Sequence, residues 1–287
     1  MMTLPTPLIT ATELAALLAA QAPTRLFDIS FDLTDPSAGQ RAFDAAHLPG
    51  ARHLDLNRDL ADHAPPTPGR PRGRHPLPER ETFAALLGGL GVDESTAVVL
   101  YDRSGGMFAA RAWWMLRWLG HREVAVLDGG WSAWLATGGA SETVAPGPVE
   151  PRTYHPGQAL VTQIDADALQ RDLGRLCLVD ARAPERFRGE VEPLDPVAGH
   201  IPGALNRPFK DNLDAAGRFL PAPQLHAAFA ALLGGRPAGE VVHQCGSGVS
   251  ACHNLLAMEA AGLTGAALYP GSWSEWCADP ARPVARG

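Results

Sequence analysis

Five blocks recur in the same order in the two halves of the chain, and this repetition restricts the fold more than any other feature of the sequence. The first half reads "LFDIS", "HLPGARHLDL", "FAALLGGLG", "AVVLYDRSGGMFAARAWW" and "VLDGGWSAW"; the second reads "LVDAR", "HIPGALNRPF", "FAALLGGRP", "EVVHQCGSGVSACHNLL" and "YPGSWSEW". Matched positions lie 152 apart at Asp28 and Asp180, 153 at His47 and His200, 143 at Asp102 and Cys245, and 142 at Trp131 and Trp273. Units of this length are whole domains and not solenoid repeats. A chain of 287 residues has room for two separate cores.

Within each half, short apolar runs such as "AVVLY" and "EVVHQ" alternate with helical stretches such as "FAARAWWMLRWLG" and "LHAAFAALLGG". The alternation predicts an α/β fold: two tandem domains, each a mostly parallel sheet covered by helices on both faces. Prolines at 146, 148, 151 and 156 remove amide donors and favour extended backbone. The expected division is therefore 1–142 and 159–287, joined by a proline-rich linker at 143–158. Thr12-Glu13 ahead of "LAALLAA" predicts a short capped helix near the start.

Charge removes several function classes. With 24 Lys+Arg against 31 Asp+Glu the net charge is −7, which disfavours nucleic acid or an anionic membrane as partner. No apolar run approaches membrane-spanning length, and the amino terminus lacks the basic start of a signal peptide. Cys177, Cys245, Cys252 and Cys277 form no CxxC pair and no zinc-ligand spacing, so neither a structural metal nor an organic cofactor is implied. A reducing cytoplasm is the expected compartment, because a lone reactive thiol survives there.

One of those cysteines is placed for chemistry. Cys245 follows a buried strand and opens a loop that runs into a helix starting near Val249, which is where open α/β sheets bind ligands. Gly246 and Gly248 let successive N–H groups, through Val249 and Ser250, turn inward and cradle negative charge. A thiolate is stabilised in such a cradle. In the matched loop of the first half, "DRSGGMFAA", Asp102 stands in place of the cysteine, so only the second half is expected to do thiol chemistry. The alternative for Cys245, a small buried hydrophobe, fits poorly with glycines on either side of a strand-to-helix turn.

The tandem halves, "HLPGA" and "HIPGA", the "CGSGVSA" loop and the "GSWSEW" segment together resemble the two-domain rhodanese-type sulfurtransferases. The resemblance spans nearly the whole chain. It implies that Cys245 accepts a sulfane sulfur as a persulfide and passes it to a thiol or cyanide. Gly246-Ser247-Gly248 resembles the branch that uses 3-mercaptopyruvate, whereas thiosulfate users typically carry basic residues after the cysteine. The resemblance also implies that Ser247 works with a histidine of the first half, and "GRHPLP" supplies His75. On this reading, replacing Gly246-Ser247 by Arg-Lys shifts preference toward thiosulfate.

In "DARAPERFRG", Arg186 matches an arginine that holds the donor's carboxylate, a task suited to the two-pronged guanidinium. It also has surface ion-pair partners within reach in Glu185 and Glu190. A second arginine is expected after Glu192-Pro193, where this chain has Leu194 and Asp195, leaving the clamp half missing. Arg70, Arg72 and Arg74 form a basic stretch that either draws in an anionic donor or is a solvated loop.

Cys252 and Cys177 read as core, and His47, His200 and the recurring Trp131, Trp134, Trp273 and Trp276 read as shared framework. Cysteinyl-phosphate phosphatases share the loop but need an arginine six residues after the cysteine, where this chain has Ala251. The expected activity is therefore a monomeric sulfurtransferase with a small anionic donor. A thiosulfate-using enzyme and a persulfide carrier without turnover stay open.

Overall fold

The alternating runs build two sheets with one and the same strand order. The computed structural model describes residue 4 and residues 6–64, 71–144 and 146–287. The first sheet comes from β1 (Leu8–Ile9), β2 (Thr24–Asp28), β3 (Arg52–His53), β4 (Ala97–Tyr101) and β5 (Val124–Leu127), in the order β1-β5-β4-β2-β3. The second comes from β6 (Thr162–Gln163), β7 (Cys177–Asp180), β8 (Leu205–Asn206), β9 (Val241–Gln244) and β10 (Ala267–Leu268), in the order β6-β10-β9-β7-β8. Every pairing is parallel. The two orders match strand for strand, as duplication requires.

Around the first sheet lie α1 (Ala11–Ala19), α2 (Ala38–Ala45), α3 (Arg80–Gly89), α4 (Ala109–Trp118) and α5 (Gly130–Ala136). Around the second lie α6 (Ala166–Arg171), α7 (Pro184–Phe187), α8 (Ala222–Leu233), α9 (Ser250–Ala260) and α10 (Ser272–Trp276). The cap of α1 sits two residues earlier than expected: Thr10 accepts from the Glu13 amide while Glu13 reaches back to Thr10, so Thr12 is inside the helix. Core positions in the first unit include Leu14, Leu26, Val99, Leu127 and Trp134; in the second they include Leu178, Val242, Tyr269, Trp273 and Trp276. Among the described residues no helix is long and apolar enough to cross a membrane.

The compact units are not contiguous in sequence. The first holds residues up to 62, 78–160 and 214–219; the second holds 63–77, 161–213 and 220–287. Each half of the chain thus lends a segment to the unit built by the other half. The proline-rich run, read from sequence as a linker, lies against the first unit: the Arg152 amide donates to Gly88 (2.8 Å) and the Gly157 amide to Leu119 (2.8 Å).

The recurring His-x-Pro-Gly-Ala block is a turn with a fixed conformation. Ala51 donates to Leu48 and Ala204 to Ile201, with Gly50 at φ 75° and Gly203 at φ 79°. A Pro-Gly pair suits a turn whose third residue must have positive φ. His47 stacks on Phe43 and bonds its carbonyl, as His200 does with Phe187, so both histidines are framework.

A buried ion pair recurs as well, with its cation supplied from different places. Asp28 holds the Arg103 guanidinium (2.7 Å), which also donates to Ala46 and lies 4.7 Å from the Trp131 ring. Asp180 holds Arg182 (2.7 Å), which donates to Gly199 and lies 4.9 Å from Trp273. Asp28 and Asp180, Ala46 and Gly199, and Trp131 and Trp273 are matched positions; the two arginines are not. Position 103 matches Gly246, and position 182 matches Ser30.

Removing one partner of a buried pair costs about 3–5 kcal/mol. Arg182→Ser is therefore expected to lower stability by roughly that amount in denaturant unfolding. An unchanged midpoint in Arg182→Ser would contradict a stabilising role for the buried Asp180–Arg182 pair.

Candidate active site

The loop from Cys245 to Val249 joins the central strand β9 to α9, and its shape is held by the segment ahead of α10. The Cys245 amide donates to Ser272 Oγ (3.1 Å), while the Cys245 and Gly246 carbonyls accept from the Trp273 and Ser274 amides (both 2.9 Å). Ser272 has φ 54°, a left-handed conformation uncommon for a side chain larger than glycine's. Gly248 has φ 76°, and a β-carbon there would lie 2.4 Å from the Pro270 carbonyl oxygen. The tryptophans of "GSWSEW" read from sequence as framework, and Ser272 was missed; the recurrence of that block after each nucleophile-position loop was the available signal.

The segment lent by the first half completes the site. Arg74 donates its amide to Ser274 Oγ (3.0 Å), and His75 Nδ1 is hydrogen-bonded to Ser247 Oγ (2.7 Å). Cys245, Ser247 and His75 are all buried, the first with only 2% of its surface exposed. The structure thus brings His75 to Ser247, which lies on the Cys245 loop.

Around the loop runs a chain of alternating charge. Arg74 pairs with Asp195; Arg186 pairs with Glu192 (2.6 Å) and Asp195 (3.3 Å); Arg182 pairs with Asp180 and Glu192. Arg186 is thus engaged in the interior rather than with the surface carboxylates Glu185 or Glu190, and Glu190 pairs with Arg188 instead. Burial pushes the Asp195 carboxyl up, and Arg74 beside it opposes that shift. A β-carbon on Gly246 would lie 2.9 Å from Arg74 Nη2 and 3.5 Å from Arg186 Nη1. A second guanidinium beside Arg186 thus comes from residue 74, whereas position 194, where the sequence reading expected one, is leucine. Position 246 is crowded by cations, so an arginine placed there meets both guanidinium groups. Arg72 is described, whereas Arg70 lies outside the described residues.

The other thiols are poorly placed to react. Burial raises Cys177 and pushes Cys277 up to about 11, and Cys252 Sγ donates to the Gly248 carbonyl (3.2 Å). Among the described residues no group of three or more His, Cys, Asp or Glu is arranged to hold a metal ion.

In the first unit the matched loop is filled by its own carboxylate. Asp102 accepts the amides of Ser104, Gly106, Phe108 and Ala109 at 2.7–2.9 Å. Burial pushes its carboxyl up while those four amides pull it down. Phe219 closes over Gly106, and its amide donates to Asp128 (2.7 Å). This loop shows how many amides such a turn can aim at one anion.

The sequence pattern of the rhodanese-like domain matches residues 10–137 and 163–279. A Pseudomonas aeruginosa protein named a probable 3-mercaptopyruvate sulfurtransferase is 52% identical, over 98% of each chain. A Mycobacterium tuberculosis protein provisionally named a thiosulfate sulfurtransferase is 42% identical, over 98% of this chain and 97% of its own. Among solved structures, Escherichia coli SseA, described as a 3-mercaptopyruvate sulfotransferase, matches with a TM-score of 0.75 at 30% identity, covering 94% of this chain and 100% of that one.

Two substitutions test the loops. Gly248→Ala forces a strained φ and a backbone collision, and should cost at least about 1–3 kcal/mol in thermal unfolding, more than Gly246→Ala, which meets only the mobile end of Arg74. Asp102→Cys leaves four amides without their carboxylate, so it should lower stability and gain no sulfur when treated with donor and weighed by mass spectrometry. A sulfur adduct at residue 102 would show that the amide-lined loop suffices without the second unit's surroundings.

Proposed function

The chain belongs to the rhodanese-like domain family, and from that premise we propose that it is a sulfurtransferase whose donor is 3-mercaptopyruvate. The observation that carries the reading is the His75–Ser247 hydrogen bond on the Cys245 loop. It sets a proton-handling pair beside the one cysteine at a strand-to-helix turn. In this reading residues 1–142, apart from the segment 63–77 lent to the second unit, form a supporting domain, with Asp102 in place of a nucleophile, and 159–287 together with that segment form the catalytic one. The protein works as a monomer in the cytoplasm, where its four free, buried cysteines stay reduced.

The chemistry follows from the groups present. Cys245 Sγ attacks the donor sulfur; the S–S bond forms as the sulfur–carbon bond breaks, and the bonding pair leaves with carbon as pyruvate enolate. The enolate must gain a proton as the donor thiol loses one, and Ser247 with His75 passes protons between these positions. Arg186, which keeps further N–H groups beyond its bonds to Glu192 and Asp195, holds the donor carboxylate. Amides from Gly246 through Ser250 stabilise the outer sulfur. The first unit supports that role by analogy: the aspartate oxygens lie two bonds beyond Cβ, as the outer sulfur of a cysteine persulfide does, and they are met by four amides. A thiol or cyanide then attacks the outer sulfur and releases the Cys245 thiolate.

Thiosulfate is the second reading, favoured by the two guanidinium groups near Gly246. Comparing kcat/KM for the two donors decides: 3-mercaptopyruvate is expected to be the better, and a preference for thiosulfate overturns the donor assignment. Cys245→Ser should retain the fold by circular dichroism and lose transfer with both donors. A donor-derived sulfur found on Cys252 or Cys277 would remove Cys245 from its role.

A further inference from the structure

Arg74 and Arg186 approach the Cys245 loop from different parts of the chain and meet at one carboxylate. Asp195 binds Arg74 through Oδ1 and Arg186 through Oδ2, so it spaces the two guanidinium groups at the width of a single carboxylate. On the side facing the loop, Arg74 Nη2 and Arg186 Nη1 converge over Gly246, where only the absence of a side chain leaves room. Both arginines also keep a buried Nε–H with no acceptor among the described residues. Leu194, the position expected from sequence to bring a second cation, is 42% exposed.

We propose that Arg74 is a donor-binding residue that, with Arg186, forms a two-guanidinium clamp for the donor's carboxylate, and that Asp195 is the positioning residue that sets the clamp's width. This rests on the carboxylate-donor reading above and adds the residue that sets preference for carboxylate-bearing donors. A carboxylate bound over Gly246 receives one N–H from each arginine, which orients the attached carbon chain along the loop toward Cys245. Asp195 and Glu192 between them offset the two cations, which favours a singly charged donor group over a doubly charged one.

The test separates binding at the clamp from sulfur transfer. Iodoacetate and iodoacetamide alkylate the same thiol and differ by one carboxylate, so the ratio of their rates at Cys245, read by mass spectrometry, reports carboxylate binding alone. Losing one charge-assisted contact corresponds to about a tenfold to hundredfold change. Arg74→Ala should lower the iodoacetate rate by at least about tenfold, with the iodoacetamide rate within about twofold of wild type, and Arg74→Lys should fall between. Asp195→Asn should change the ratio while leaving the iodoacetamide rate in place. The KM for 3-mercaptopyruvate should rise in parallel in Arg74→Ala. An unchanged ratio, or equal falls with both reagents, overturns the clamp whatever the donor proves to be. A ratio that depends on Arg74 in an enzyme that turns over thiosulfate alone upholds the clamp and overturns the donor reading.

Discussion

A buried carboxylate at the end of the strand beside the central one needs a cation, and the source of that cation decides what the neighbouring loop can do. In the first unit Asp28 takes its guanidinium from Arg103, inside the loop after β4. In the second, Asp180 takes it from Arg182, two residues further along its own strand exit. Moving the arginine from the loop to the strand end leaves position 246 as glycine. The buried pair is satisfied in both units, because an unpaired charge there would cost several kcal/mol. Only in the second unit is the space over the loop open to Arg74 and Arg186.

The same economy of parts appears in the loops themselves. Each runs from a central strand into the start of a helix, and in the first unit the loop amides converge on one anion. Asp102 supplies the anion permanently in the first unit, through four hydrogen bonds that belong to the folded state. In the second unit the matched position is Cys245, a shorter side chain that leaves its loop without a carboxylate of its own. The duplicated fold therefore carries one loop closed by its own carboxylate and one that carries a thiol in its place.

Much of this was legible in the residues. Duplication follows from the ordered blocks, and identical strand orders confirm it. The strand-to-helix turn at Cys245 could be read because apolar runs, glycines and helical spacing are local signals. His75 was matched to Ser247 by resemblance, and the 2.7 Å contact bears out their proximity. Ser272, Asp195 and the pairing of Arg74 with Asp195 were not legible: Ser272 accepts a distant amide through one hydroxyl, and Arg74 and Asp195 are 121 residues apart. The exchange of segments 63–77 and 214–219 was hidden for the same reason.

By itself, the sequence determined that there are two copies of one parallel α/β unit, that only one carries a thiol at the ligand-binding end of its central strand, and that glycines flank that thiol. Those properties depend on periodicity, on backbone freedom and on the chemistry of single side chains, all of which are local. Only the tertiary structure decided which cations surround the thiol, how they are spaced and which half of the chain supplies them. Ion pairs and hydrogen bonds depend on distances in space, and a chain that lends a segment to each of its units brings together residues that no sequence spacing relates.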